Sequence, residues 1–146
     1  MRRYIEVPIR LLDIEGDGFH IMVKGLIHDK EAYFLIDTGA SRSVFDPKTI
    51  STFIEDLQFE KKEGITAGVG SSDLESSTFI IDCLSIGNLE INDYEAVALD
   101  LENIHEMYAK LRLPHIDGII GGDLLQKYKA VINYRSKKLR FTPPLS

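Results

Sequence analysis

Phe34-Leu35-Ile36-Asp37-Thr38-Gly39-Ala40-Ser41 is the stretch on which the reading of this chain turns. Three apolar residues lead straight into a carboxylate, followed by a hydroxyl, a glycine and two small residues. The pattern predicts a buried strand ending in a tight loop with Asp37 at its tip. Surrounded by core there, the carboxylate would be poorly solvated in its charged form. Gly39 lets the backbone pass close to the carboxylate and to a neighbouring loop, where a side chain would collide. Thr38 supplies a short, stiff hydroxyl able to bond across to that neighbour. The same residue types also build ordinary polar turns. The apolar lead-in and the Ala-Ser tail set this stretch apart from a chance Asp-Thr-Gly.

A second stretch, Ile116-Asp117-Gly118-Ile119-Ile120-Gly121-Gly122-Asp123-Leu124-Leu125, runs two apolar residues and a glycine into a short helix. Together the two motifs resemble the aspartic proteases, closest to the retropepsin-like, single-lobed branch and its bacterial members. The resemblance covers roughly residues 19–141. It implies a mainly β fold: a closed acid-protease-type β-barrel of one lobe with two or three short helices. In that fold the apolar-apolar-Gly strand passes through a loop made by the chain around the catalytic strand. The separation of Asp37 from Gly121 exceeds that of the smallest viral members and suits bacterial relatives.

Bulk properties agree with one soluble domain over residues 1–146. Hydrophobic residues are 44% and charged residues 27% of the chain, ordinary for a globular protein with a real core. A net charge of −6 argues against nucleic acid as a partner, which needs clustered Lys and Arg. The basic run Arg135-Ser136-Lys137-Lys138 reads as an exposed hairpin turn. Cys83 is the single cysteine, so no internal disulfide forms, and its apolar surroundings predict a buried, inert thiol. No segment is long enough to span a membrane as a helix. The alternating opening, Met1 to Val7, lacks an apolar signal core, so the chain as written reads as cytoplasmic, a removed leader being left open.

Strand patterns dominate: residues 4–12 around Pro8, 19–27 and 32–36 as a hairpin around His28-Asp29-Lys30, a short strand at 43–45, and 76–86 with 89–99 joined by Gly87-Asn88. Asp46-Pro47 predicts a capped helix through about Ile54. Asp100 heads a helix with Leu101, Ile104, Met107, Tyr108 and Leu111 on one face, ended by Pro114. Strand 116–120, helix 123–128 and a hairpin of 130–133 with 139–141 complete the chain.

Other chemistries find little support. The acidic turn Asp13 to Gly18 has Lys24 where a calcium loop needs its glutamate. Gly68-Val69-Gly70 is followed by Asp73 where a phosphate loop needs its third glycine. His20, His28, His105 and His115 show no metal-ligand spacing, and no Gly-x-Ser-x-Gly elbow is present. Neither a metal nor an organic cofactor is expected.

Aspartic proteolysis uses two carboxylates that share a proton, one activating a water and the other polarising the scissile carbonyl. This chain has one Asp-Thr-Gly. The resemblance therefore implies an endopeptidase that is a homodimer, with a catalytic Asp37 from each subunit meeting at a two-fold axis and Thr38, Gly39 and Ala40 completing each active-site loop. Peptide or protein would be the substrate. A flap is expected over the cleft, best placed at Ala67, Gly68, Val69 and Gly70, where glycines give mobility and free backbone groups can pair with an extended peptide. Two departures stand out. Pro143-Pro144 cannot donate to an intersubunit ladder of the viral kind, so the dimer would be built otherwise or be weak. The helix after Asp100 is extra relative to minimal members. The runner-up reading is a catalytically silent peptide-binding or dimerisation module on the same fold. A third is a small-ligand β-barrel.

Overall fold

A computed structural model describes residues 3–62 and 76–144. Its strands are β1 (Ile5–Pro8), β2 (Arg10–Asp13), β3 (Phe19–Ile27), β4 (Lys30–Ile36), β5 (Val44–Phe45), β6 (Glu60–Lys62), β7 (Ser76–Ile86), β8 (Leu89–Ala98), β9 (Gly118–Ile120), β10 (Val131–Asn133) and β11 (Lys138–Phe141). Three short helices, α1 (Pro47–Ile50), α2 (Glu102–Lys110) and α3 (Gly122–Lys127), complete the described residues. The larger sheet runs β2-β3-β4-β9-β5-β8-β7-β6, and an additional β3–β7 pairing closes β3, β4, β9, β5, β8 and β7 into a six-stranded barrel.

The barrel's centre is β9. It lies parallel to β4, with Leu35 opposite Ile119, and antiparallel to β5, with Val44 opposite Ile119. Since β4 and β5 flank the Asp37 loop, β9 threads between the two arms of that loop. Side chains alternate across these strands. Phe34, Ile36, Phe45 and Ile120 point into the main core, and Leu35, Val44 and Ile119 into a second cluster with Leu101, Tyr108 and Ile116. Burial on both faces is why these strands read as unbroken apolar runs.

The β3–β4 hairpin turns at His28 and Asp29, at φ +49° and +65°, the two left-handed residues of a type I′ turn. The opening run at 4–12 divides at Pro8: β1 pairs with β11, and β2 pairs with β3. Strand β11 is thereby paired on both edges within its own chain, by β1 and by β10. The C-terminal strand has no open edge to offer a second subunit.

Three expectations change. Cys83 is exposed. The inward positions of β7 are Phe79 and Ile81, then Leu84 and Ile86, so the parity switches between Ile81 and Leu84. The switch lies opposite Asp93, whose φ is +52°, and it turns Cys83 outward. Helix α1 stops at Ile50, and turn bonds from Phe53 and Ile54 back to the Ile50 carbonyl replace the helix that was expected to continue to Ile54. Helix α2 ends at Lys110, before Pro114. Arg112 at φ +57° donates its N–H to the Ala109 carbonyl, and Leu113 donates to that of Tyr108, a left-handed cap without glycine.

Candidate active site

Asp37 follows the last residue of β4, and its N–H continues the ladder by donating to the Ile120 carbonyl at 2.9 Å. The loop then folds back. Gly39 N–H donates to Asp37 Oδ1 at 2.9 Å, and Ala40 N–H to the Asp37 carbonyl at 3.2 Å. A Cβ on Gly39 would lie 3.3 Å from Asp37 Oδ1, tighter than ordinary contact. Asp37, Thr38 and Gly39 are exposed and Ala40 is half-buried. The expectation of a carboxylate enclosed by core therefore does not hold within one chain. The loop projects past the barrel end, and one backbone donor is the only hydrogen bond to the carboxylate among the described residues.

Beneath the loop, the second motif is its clamp. Gly122 N–H donates to the Ala40 carbonyl at 2.7 Å and Asp123 N–H to that of Ser41 at 3.1 Å. A Cβ on Gly121 would meet the Ala40 and Arg42 carbonyl oxygens at 2.7 and 2.8 Å, so only glycine passes there without moving the loop. Gly121 N–H donates to Ser43 Oγ at 2.9 Å. The Ser43 N–H and hydroxyl both donate to Asp123 Oδ1, at 2.9 and 2.8 Å, while the Tyr94 hydroxyl donates to Asp123 Oδ2. Arg42 Nε lies 3.5 Å from the same Oδ2. Burial first, and then the Asp123 carboxylate, push the Tyr94 phenol far above its usual range, so it stays a donor. The side chains of Ser43, Tyr94 and Asp123 thus hold the Asp37 loop from behind. Their roles were not visible in sequence, although Asp123 lies within the second motif.

Two hollows flank Asp37. One, of about 420 Å³, is bounded by Asp37, Thr38, His20, Phe19, Ile132 and Tyr134. The other, of about 460 Å³, is bounded by Gly39, Ala40, Leu99, Asp100 and Asn103, again with Asp37. Ile104 of α2 and Ile119 of β9 border both, so the extra helix forms a wall of the site. Phe19 and Tyr134, on the wall of the first hollow, are 58% and 56% exposed. Asp100 borders the second hollow, but its Oδ1 is taken by the Glu102 N–H at 2.8 Å.

Helix α2 is anchored by Asp46. Its Oδ1 accepts from Lys48 and Thr49 N–H, capping α1, and its Oδ2 accepts from Leu101 N–H at 2.8 Å. Burial raises the Asp46 pKa, but these three N–H donors outweigh it and the net shift is downward. Asp117 of the second motif lies away from Asp37. It is buried, its Oδ2 accepts from Tyr33 N–H at 2.8 Å, and burial raises its pKa. Among the described residues no group of His, Cys, Asp or Glu is placed to hold a metal ion. No helix among them is long and apolar enough to cross a membrane. The expected flap residues Ala67, Gly68, Val69 and Gly70 lie outside the described residues.

A family model described as aspartyl protease matches residues 23–124, which takes in both motifs and the barrel strands between them. The chain belongs to the aspartyl protease family. Among solved structures, the fold is similar to a retropepsin-like aspartic protease from Rickettsia conorii, at 17% identity and a TM-score of 0.59, over 100% of this chain and 97% of that one. It is also similar to the retroviral protease-like domain of Ddi1 from Leishmania major, at 15% identity and a TM-score of 0.56, over 87% of this chain and 94% of that one. No curated protein matches the sequence. These likenesses make the barrel a retropepsin-like fold.

Proposed function

We propose that this chain is an aspartic endopeptidase that cleaves extended peptides as a homodimer, with one Asp37 from each subunit forming the dyad. The observation that carries the reading is the placement of Asp37. Its carboxylate stands exposed at the barrel end with one oxygen held by Gly39 N–H, and hollows open on both sides of it. Half a site of this kind gains its missing carboxylate, and the desolvation it lacks alone, when a second copy meets it across a two-fold axis. The exposed rings of Phe19 and Tyr134 would be covered by the partner or by substrate.

In the dimer one Asp37 takes a proton from a water that attacks the scissile carbonyl. The other, protonated, donates to the carbonyl oxygen as charge develops there. Two like charges at that distance cannot both ionise, so the pair holds one proton between them. Thr38 bonds across the axis to the partner loop and fixes the spacing. The tetrahedral intermediate collapses with proton transfer to the leaving amine, and no covalent enzyme intermediate forms. The dyad needs neither a metal nor an organic cofactor. One domain spans the chain, and the segment joining β6 to β7, with Ala67, Gly68, Val69 and Gly70, is assigned as the flap from its sequence position.

The test is Asp37→Asn. The substitution keeps the shape of the side chain and one acceptor oxygen but removes the base. Cleavage of a peptide library should be abolished, with circular dichroism and sedimentation unchanged. Wild-type turnover in the variant would overturn the assignment. Binding of a statine-type inhibitor by the wild type in the absence of any cleavage would favour the silent peptide-binding module.

A further inference from the structure

His20 borders the hollow of about 420 Å³ beside Asp37, and its ring is held in place by a residue of the extra helix. Its Nδ1 lies 2.5 Å from the hydroxyl of Tyr108, and the two rings stack with centroids 5.8 Å apart. Tyr108 is 1% exposed and sits in the apolar cluster of Leu12, Leu35, Val44 and Ile119. His20 is the one hydrogen-bond partner that its hydroxyl has among the described residues. Burial pushes the Tyr108 phenol up to about 12, so it stays protonated wherever the protein is folded and active.

That arrangement favours one tautomer of the ring. A buried hydroxyl proton left without an acceptor is costly, so the phenol donates to Nδ1 and the neutral imidazole keeps its proton on Nε2. If the ring takes a second proton, Nδ1–H donates to the phenol oxygen instead and Nε2–H persists. Nε2 is therefore a donor in both charge states, and it makes no hydrogen bond among the described residues. The other walls of the hollow are mostly apolar: Phe19, Ile104, Ile119 and Ile132.

We propose that His20 is a specificity-determining residue, presenting an N–H donor in the hollow beside Asp37 that selects a substrate residue with a carboxamide side chain, glutamine above all. Two methylenes of a glutamine match the apolar walls, and its carbonyl oxygen accepts from Nε2. Glutamate offers the same acceptor, but it brings a negative charge into a hollow that Asp37 already borders. The inference rests on the endopeptidase reading and deepens it.

The experiment is a matched peptide series with Gln, Glu, Leu or Met at each of the positions flanking the scissile bond, read as kcat/KM. For the wild type, one position should favour Gln over Leu and Met by about fivefold to tenfold, the effect of one net hydrogen bond in a partly open site, with Glu below Gln. In His20→Phe, which keeps a ring and removes the donor, the ratio at that position should fall to one or below. Absence of any Gln preference, or a ratio unchanged in H20F, overturns the inference and leaves the protease reading standing, provided that D37N abolishes the cleavage. No cleavage of any peptide by the wild type would sink both. A second measurement does not depend on turnover: nitrogen-15 spectra of the imidazoles should show His20 in the Nε2–H tautomer, shifting toward Nδ1–H in Tyr108→Phe. A dominant Nδ1–H tautomer in the wild type would also overturn the inference.

Discussion

Replacing Gly121 with alanine tests whether the second motif clamps the Asp37 loop. Gly121 has φ −110° and ψ −168°, a conformation that alanine adopts without strain, so any cost comes from the added methyl. That methyl would stand 2.7 Å from the Ala40 oxygen and 2.8 Å from the Arg42 oxygen, both main-chain atoms. Ordinary contact of a Cβ begins near 3.4 Å, so both carbonyls must retreat by about 0.6–0.7 Å. Overpacking of this kind costs about 1–3 kcal/mol. The retreat also weakens the Gly122–Ala40 and Asp123–Ser41 bonds at 2.7 and 3.1 Å, each worth about 1 kcal/mol net. Against this, alanine restricts the unfolded chain and returns about 0.4–1 kcal/mol. The net expectation is a loss of about 2–3 kcal/mol. Gly122→Ala is the control. Its Cβ would lie 3.4 Å from the Ala40 oxygen, an ordinary contact, and alanine is favoured in the first turn of α3. Urea unfolding at one fixed protein concentration separates the two, since association would otherwise shift both midpoints. G121A should unfold about 1–1.5 M urea earlier than the wild type for a slope near 2 kcal/mol/M, with G122A close to or above the wild type. Equal stability of the two variants, or a G121A within about 0.5 kcal/mol of the wild type, would refute the clamp.

Asp46→Ala removes the cap of α1 and strands the Leu101 N–H at the start of α2. The cap is worth about 1 kcal/mol and the orphaned buried donor about 1–3 kcal/mol, so a total loss of about 2–4 kcal/mol is expected at neutral pH. Because the folded-state pKa of Asp46 lies below its ordinary value of 3.8, the part of this contribution that depends on the ionised carboxylate is fully present above pH 3.8 and is lost as the pH falls through the lower folded value. Unfolding curves from pH 7 to pH 2 should therefore show the gap between wild type and D46A narrowing only below pH 3.8; a gap that narrows near neutrality would contradict the assignment. Ala40→Ser adds to the Asp37 loop a hydroxyl able to donate to an ionised carboxylate. The acid limb of the pH–rate profile should extend to lower pH in the serine variant than in the wild type. An acid limb unchanged by the substitution would count against the account.

What was legible in the sequence was local. The Asp37 loop, the glycines of the second motif, the His28-Asp29 turn and the strands buried on both faces all write their geometry into consecutive residues. What was not legible depends on partners far along the chain. Asp46 meets Leu101, Ser43 meets Asp123 and His20 meets Tyr108, each pair joined by the barrel and by no sequence pattern. Cys83 was misread because alternation identifies a face only while the parity holds, and Asp93 at φ +52° lies where the parity breaks. The end of α2 was placed too late because Arg112 takes the left-handed position where a glycine would have signalled the stop. The exposure of Asp37 illustrates the same limit. Its apolar lead-in describes the strand beneath it and carries no information on what surrounds the tip of the loop.

The shared site is tested most directly by specific activity as a function of protein concentration, repeated with excess D37N mixed into the wild type. Strand β11 is paired on both edges within its own chain, so the proposed dimer would have to hold without an edge of that strand. Activity per chain should fall on dilution, in step with dissociation seen by sedimentation. Excess D37N should suppress it by drawing wild-type chains into dead heterodimers. Constant specific activity from a chain that sediments as a monomer, unaffected by D37N, would contradict the account.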